Sequence, residues 1–147
     1  RQENTGTSPE GSYQKKYNSD DAVMMARTMW NESRGIQSKT EIACIGWTAL
    51  NRVDAGAAAG FRDTLSGVLT QANQVAPTTS DYGYNLVELA TDVLDRWSRE
   101  KAGQTNVGRV LPKDYKWYAG DGKHNYFRNQ YQGGTRWNYS LPSPYEN

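Results

Sequence analysis

The stretch Trp30-Asn31-Glu32-Ser33-Arg34-Gly35 is the most informative part of this chain for predicting its fold. It closes a run from Ala22 to Trp30 in which apolar residues recur at helical spacing, and a glycine such as Gly35 commonly ends a helix. Glu32 is therefore predicted to lie in the last turn of a helix, where the helix dipole disfavours a negative charge. A neighbouring aromatic ring adds to this effect because it excludes water. A carboxylic acid that keeps its proton near neutral pH can act as a general acid.

Two interpretations of this carboxyl group and its neighbours remain open. Glu32 is either the proton donor of an active site or a solvated residue paired with Arg34. Trp30 is expected to desolvate Glu32, although packing in the core would also explain a tryptophan at this position. Arg34 is expected either to orient Glu32 or to bind a carboxylate of the substrate.

The composition indicates one globular domain without a nucleic-acid-binding surface. The chain has 147 residues, and its 17 lysines and arginines balance 16 acids to a net charge of +1. A chain of this length can form one hydrophobic core, and this charge provides no basic field for nucleic acid. The aromatic residues are dominated by 10 Tyr and 5 Trp against 2 Phe. Tyrosine and tryptophan suit stacking on sugar rings, although many of them are expected in the core.

The chain has one cysteine, Cys44, and one histidine, His124. Cys44 lies within an apolar helical pattern and is predicted to be a small buried residue. Neither a disulfide nor a zinc-ligand set can be assembled from these residues, so we expect no metal and no cofactor. No apolar run approaches the roughly 18 residues of a membrane span, and we expect a monomer with neither a span nor a signal peptide.

The first half of the chain is predicted to hold a leader and two helices. The polar residues 1–18 are predicted to be a flexible leader or linker, and residues 19–147 a single domain. Ser19 is the expected N-cap of the first helix. Ser38 to Glu41 match a capping box that opens a second, central helix. Asn51-Arg52, near the end of that helix, is expected to cap it or to bind a ligand.

The second half is predicted to contain two further helices and a β-hairpin. A short helix is expected from Thr64 to Gln71, and the longest amphipathic pattern runs from Leu86 to Gly103 with a solvated charged face. Tyr115 to Tyr118 and Asn125 to Arg128 are predicted to be strands joined by a turn. The tail from residue 130 onward is expected to be irregular coil on the surface. Together these elements predict a mainly helical α+β fold with a small C-terminal hairpin.

Two segments of this pattern resemble bacterial cell-wall hydrolases of the spore cortex-lytic enzyme type. The segments are Ala26-Arg27-Thr28-Met29-Trp30-Asn31-Glu32-Ser33-Arg34-Gly35 and Glu41-Ile42-Ala43-Cys44-Ile45-Gly46-Trp47-Thr48-Ala49-Leu50-Asn51-Arg52-Val53. That family typically has a helix ending in Glu-Ala-Arg-Gly-Glu and then a helix ending in Leu-Asn-Arg-Val. Here Ser33 replaces the alanine and Ile36 replaces the second glutamate. Val68 to Gln71 and Trp117 to Phe127 resemble later family segments, so the match spans roughly Asp20 to Arg128.

The resemblance implies a lysozyme-like domain whose partner is the glycan strand of peptidoglycan. It implies cleavage between N-acetylmuramic acid and N-acetylglucosamine, with Glu32 at the position of the family's catalytic glutamate. It also implies a secreted or cell-wall-associated protein, with the spore cortex as one possible site of action. The chemistry agrees with the residue-based prediction, because the leaving oxygen must be protonated while positive charge develops on the sugar.

Two reaction types fit this substrate. Hydrolysis of the muramidase type normally needs a second carboxylate as base or nucleophile. Lytic transglycosylases instead use the 6-hydroxyl of muramic acid, so that one glutamate acts first as acid and then as base. A capping box explains Glu41, a turn explains Asp121, and solvation explains Asp54. We therefore favour lytic transglycosylation over two-carboxylate hydrolysis.

Polar and aromatic side chains are the candidates for a sugar-binding groove. Gln71 and Gln74 offer amides to sugar hydroxyls, or they are surface-loop residues. Tyr118 and Tyr126 are expected to contact the substrate or to pack as strand aromatics. His124 is expected either to contact the substrate or to hold the hairpin.

Two other classes of protein are alternatives. A non-catalytic peptidoglycan- or carbohydrate-binding module on the same fold would keep the groove and lack the acid function of Glu32. A helical protein-interaction domain would use the aromatic tail as an interface.

Overall fold

The computed structural model describes residues 13–70, 85–137 and 143–145. Its elements are helices α1 (Ser19–Glu32) and α2 (Lys39–Ala55), a 3₁₀ turn (Ala57–Ala59), helices α3 (Leu65–Leu69) and α4 (Leu86–Lys101), and strands β1 (Trp117–Gly120) and β2 (Asn125–Arg128). The two strands form an antiparallel hairpin. The predicted mainly helical α+β fold with a small hairpin is confirmed. None of the helices described is long and apolar enough to cross a membrane.

The N-cap of α1 lies one residue before the predicted one. Asn18 rather than Ser19 accepts a hydrogen bond of 3.0 Å from the main-chain N–H of Asp21. The Asp21 carboxylate in turn accepts one of 2.9 Å from the N–H of Asn18. This reciprocal pair is a capping box, which asparagine supports as well as serine does.

The other end of α1 is shaped by Ser33, Gly35 and Ile36. The helix ends at Glu32, and Gly35 follows with a φ of +88°, a left-handed conformation that favours glycine. Ser33 is fully buried and its hydroxyl donates to the Met29 carbonyl. Ile36 is buried in the core. Ser33 and Ile36 therefore both have structural roles at this turn.

Helix α2 is the central helix, as predicted, because it is buried on nearly every side from Thr40 to Asn51. Gly46 lets α1 approach closely: a Cβ atom there would lie 2.8 Å from the Met25 sulfur. Cys44 is buried and unpaired, as expected, and burial raises the pKa of its thiol well above the ordinary value.

The charged face of α4 is less solvated than predicted. Arg96 pairs with Asp92 and donates a hydrogen bond of 2.8 Å to the Val107 carbonyl. Arg99 lies 2.8 Å from Asp95 on the next turn. The two ion pairs lie within α4, and the bond to Val107 attaches the following segment to it, while the opposite face of the helix packs in the core.

Residues 13–18, the end of the predicted leader, lie against α4. The hydroxyls of Tyr13 and Tyr17 donate hydrogen bonds of 3.0 Å and 2.9 Å to Asp95. The main-chain N–H of Lys16 donates to the Ser98 hydroxyl at 2.8 Å. This part of the segment is therefore attached to the domain by side-chain contacts.

The end of α2 holds the segment that leads to the hairpin. The Asn51 amide donates hydrogen bonds of 2.9 Å to the carbonyls of Pro112 and Tyr115. Its oxygen accepts one of 2.7 Å from Arg109, which also pairs with Glu100 at 2.6 Å. The expectation that Asn51 caps the helix is therefore wrong, because its side chain is used in tertiary contacts.

The hairpin starts two residues later than predicted. A main-chain bond of 3.1 Å from Tyr115 to the Pro112 carbonyl forms a turn at the place where the first strand was expected. The tight turn itself depends on Asp121, whose carboxylate accepts bonds of 2.8 Å from the N–H groups of Lys123 and His124.

The described parts of the C-terminal tail are irregular but cover the core. Trp137 is buried, donates a main-chain bond of 2.8 Å to the Phe127 carbonyl, and places its ring centroid 6.1 Å from that of Phe127. The Tyr145 hydroxyl accepts a bond of 3.3 Å from the Trp47 indole. Large aromatic side chains find most of their stabilisation in such packing.

Candidate active site

A cavity of about 270 Å³ opens beside the last turn of α1. Its walls come from α1, α2, α3 and β1, and the lining residues are Thr28, Glu32, Ile45, Thr48, Ala49, Arg52, Val68, Leu69 and Tyr118. Thr28 and Glu32 reach it together because residues four apart share one face of a helix. The cavity therefore places the predicted acid beside hydroxyl groups and apolar side chains.

Tyr118 lines the same cavity and lies close to Glu32. Burial, together with the charge of Glu32, raises the pKa of Tyr118 far above its ordinary value, so the phenol stays protonated. The ring is fixed by Phe127, which lies across the hairpin with its centroid 5.5 Å away. Two candidate residues from distant parts of the sequence, Glu32 and Tyr118, therefore lie in the same cavity.

Trp30 and Arg34 lie together, away from this pair. The Arg34 guanidinium stacks 4.8 Å from the centroid of the Trp30 ring, and Trp30 packs on the core. Residues two apart point to different sides of a helix, and Glu32 itself is exposed. The expectation that Trp30 desolvates Glu32 is therefore wrong. The described residues also contain no ion pair between Glu32 and Arg34.

His124 and Tyr126 lie at the hairpin turn and do not line the cavity. Tyr126 pairs with Ala119, so its side chain is on the face opposite that of Tyr118. Its hydroxyl donates a bond of 2.8 Å to Asp121. The imidazole Nδ1 of His124 lies 3.0 Å from a Glu41 carboxylate oxygen, a contact that matches the hairpin-holding alternative.

Glu41 has a role that the sequence did not indicate. Only half of the predicted capping box forms: the Ser38 hydroxyl accepts a bond of 3.2 Å from the Glu41 N–H, but the Glu41 side chain turns away from the helix end. That carboxylate is 2% exposed and accepts a bond of 2.7 Å from the Asn125 N–H as well as the His124 contact. Asn125 in turn donates its amide to the Glu32 carbonyl at 2.8 Å. Glu41 therefore holds the hairpin against the end of α1.

The other two acids considered as second carboxylates are engaged elsewhere. Asp54 contacts the Trp97 indole at 3.2 Å and Lys101 at 2.9 Å. Hydrogen bonds from the Lys123 and His124 N–H groups lower the pKa of Asp121 to about 2. Of the described residues that line the cavity, Glu32 is the only carboxylate. Within the described ranges no group of His, Cys, Asp and Glu could hold a metal ion.

Arg52 is a cavity residue for which the sequence left two alternatives open. The pair Asn51-Arg52 was expected to cap α2 or to bind a ligand, and the Arg52 side chain lines the cavity and donates a bond of 2.6 Å to the Lys116 carbonyl. A usable signal existed, because Arg52 follows Thr48 by four residues and Ile45 by seven and so shares their helix face. The predicted groove residues Gln71 and Gln74 lie outside the described residues.

Comparisons with protein-family models, curated proteins and solved structures found no match to this chain.

Proposed function

We propose that this domain cleaves the glycan strands of peptidoglycan between N-acetylmuramic acid and N-acetylglucosamine, with Glu32 as the general acid and base. The observation that carries the proposal is the position of Glu32, which lines a cavity together with Tyr118. The resemblance of residues 26–35 and 41–53 to cortex-lytic enzymes supplies the substrate class. A lysozyme-like domain acting at the cell wall, including the spore cortex, is part of the same proposal.

The proposed reaction needs one proton carrier. Glu32 donates its proton to the glycosidic oxygen as the bond from that oxygen to C1 of muramic acid breaks. The 6-hydroxyl oxygen of the same sugar then bonds to C1, and its proton passes to the Glu32 carboxylate. The product ends in 1,6-anhydromuramic acid, and Glu32 is protonated again.

Tyr118 fits this cycle because it lines the cavity with Glu32 and its phenol stays protonated. A phenol that stays protonated stabilises the carboxylate formed after the first step and keeps it oriented for the second. Thr48, whose hydroxyl donates to the Cys44 carbonyl at 2.8 Å, also lines the cavity.

Single-glutamate chemistry is favoured over two-carboxylate hydrolysis. Retaining and inverting hydrolysis place two carboxyl groups about 5 to 9.5 Å apart across the scissile bond. Glu32 has no such partner among the described cavity residues. Both oxygens of the nearest buried acid, Glu41, accept hydrogen bonds from the hairpin.

The test is digestion of purified peptidoglycan by the wild type and by Glu32→Gln, followed by turbidity and mass spectrometry. We expect the variant to lose activity by about 10²- to 10⁴-fold, the usual contribution of a general acid. Asp20→Asn, an exposed change at the other end of α1, is the matched control and should retain activity. Unchanged turbidity loss in Glu32→Gln would disprove the role of Glu32.

The products separate the remaining alternatives. Anhydromuramic ends support transglycosylation, and reducing ends show hydrolysis. Wall binding by the wild type without release of soluble fragments would identify a carbohydrate-binding module instead.

A further inference from the structure

A second cavity, of about 480 Å³, adjoins the first and shares Arg52 and Val68 with it. Its other lining residues are Ala57, Gly60, Phe61, Arg62 and Gly67. Two of the seven carry guanidinium groups, and the remainder are apolar or glycine. The described lining contains no carboxylate, amide or hydroxyl side chain of the kind that usually binds sugar hydroxyls.

Arg52 is fixed between the two cavities. Its Nε atom donates to the Lys116 carbonyl at 2.6 Å, and the guanidinium lies 5.2 Å from the centroid of the Phe61 ring. Burial lowers its pKa, which means that the surroundings do not fully compensate its charge. No described carboxylate forms an ion pair with Arg52. A half-buried cation of this kind gains most from an anionic ligand that approaches through a cavity.

Arg62 adds a second positive charge on the outer side of the same cavity. It is exposed, and its stem lies close to α3: a Cβ atom on Gly67 would be 2.8 Å from the Arg62 Cβ. The small residues Ala57, Gly60 and Gly67 leave room for a chain in front of Phe61. An acidic group attached to a short peptide-like chain fits these walls better than a sugar ring does, because a sugar needs several polar partners.

We propose that Arg52 and Arg62 form a subsite for a free carboxylate of the peptide carried by the muramic acid next to the cleaved bond. Arginine suits this role because its planar group can donate two parallel hydrogen bonds to one carboxylate. The subsite rests on the proposed function, since Arg52 lines both the cavity that contains Glu32 and the cavity that would receive the peptide.

The test measures binding of the Glu32→Gln background protein to insoluble peptidoglycan by co-sedimentation. The peptidoglycan is stripped of phosphate-bearing polymers and compared with the same material after its carboxyl groups are converted to neutral amides. We expect amidation to weaken binding by about tenfold, the effect of losing a charge-assisted contact. Arg62→Gln should weaken binding to the native material by about threefold, because an exposed charge contributes less.

The variants must also lose sensitivity to amidation. Arg52→Lys keeps the positive charge but cannot donate two parallel hydrogen bonds to one carboxylate. It should therefore bind native peptidoglycan more weakly than its parent, while circular dichroism shows that it remains folded. Lys16→Gln is the matched control, because it removes one positive charge from an exposed side chain that is distant in sequence from Arg52 and Arg62. This variant should respond to amidation as its parent does.

The outcomes separate this inference from the proposed function. If native and amidated peptidoglycan bind equally well, or if Arg62→Gln and Arg52→Lys keep the full response to amidation, the carboxylate subsite is disproved. A response that appears only on walls bearing phosphate polymers also overturns it, because the ligand would then be a phosphate. If binding follows the charge pattern but the wild type cuts no glycan, the subsite survives and the enzymatic proposal fails.

Discussion

The side-chain amide of Asn125 donates a hydrogen bond of 2.8 Å to the main-chain carbonyl of Glu32. The last carbonyl groups of a helix have no partner within the helix, so this bond satisfies one of them from the hairpin. The main-chain N–H of Asn125 also donates a hydrogen bond of 2.7 Å to the Glu41 carboxylate. Helix α2, the hairpin and the end of α1 are therefore connected through Asn125 to the residue proposed as the acid.

Asn125→Ala is expected to destabilise the protein and reduce activity together. Asn125 is 3% exposed, so removing its amide leaves a helix-end carbonyl without this partner and costs about 1 to 3 kcal/mol. Urea unfolding followed by circular dichroism measures the loss. Glycan release under conditions where both proteins remain folded should still be lower than in the wild type. Full activity in the folded variant would show that the hairpin does not position Glu32.

Tyr118→Phe is expected to lower activity without unfolding the hairpin. The change removes the hydroxyl close to Glu32 and keeps the ring that packs on Phe127. Loss of one hydrogen bond to the Glu32 carboxylate that forms during the reaction corresponds to about tenfold or more in rate. Initial rates of soluble glycan release test this. Tyr131→Phe, at a tyrosine that is 74% exposed, is the control and should leave the rate unchanged.

The contact between His124 and Glu41 is expected to make stability depend on pH. The hydrogen bond and charge of Glu41 raise the pKa of His124 above its ordinary value, with Asp121 acting in the same direction and Lys123 opposing it. Because the pKa of His124 is higher in the folded protein than in the unfolded one, the contact stabilises the folded state at pH values below the pKa of the unfolded protein. This stabilisation is lost as the pH rises through the pKa of the folded protein. His124→Gln should therefore cost stability at about pH 5.5 and much less at about pH 9.

Chemical denaturation of the wild type and His124→Gln at several pH values measures this difference. Lys123→Gln, next to the histidine but with an exposed side chain, is the control. A difference between wild type and His124→Gln that stays constant across this range contradicts the assignment.

Gly35→Ala is expected to destabilise the protein more than Gly60→Ala does. Both glycines have a φ of +88°, so alanine is strained equally at each. A Cβ atom at Gly35 would also lie 2.9 Å from the Gly122 carbonyl oxygen, whereas nothing lies within 4 Å of one at Gly60. The strain alone costs about 1 kcal/mol, and the backbone clash should add 1 kcal/mol or more at Gly35. Thermal unfolding compares the two, and equal losses would argue against close contact between the hairpin turn and α1.

Local signals in the sequence account for the elements but not for their contacts. The apolar spacing of α1, α2 and α4 predicted three long helices, and the turn around Asp121 predicted a hairpin. Boundaries shifted by one or two residues where an unrecognised partner decided them, as at Asn18. Several neighbouring residues can form the hydrogen bonds that end a helix, and the spacing of apolar residues does not show which of them does.

Two of the candidate residues line the cavity. The motif around Glu32 selected one of them, and Tyr118, which was expected either to contact the substrate or to pack as a strand aromatic, is the other. Glu41 was assigned to a capping box, and capping remained an alternative for Arg52, because each residue also fits a common helix-end role. Trp30 was expected to desolvate Glu32 because the two are close in sequence, but side chains two residues apart point to different sides of a helix.

By itself, the sequence determined the helical periods, the glycine that ends α1 and the carboxyl group at that end. These features follow from backbone geometry within a few residues, so no distant contact is needed to predict them. Only the tertiary structure decided that Tyr118 meets Glu32, that Glu41 holds the hairpin and that Arg52 stands between two cavities. Those contacts join residues far apart in the chain, and the packing of α2 against its neighbours, rather than any local propensity, brings them together.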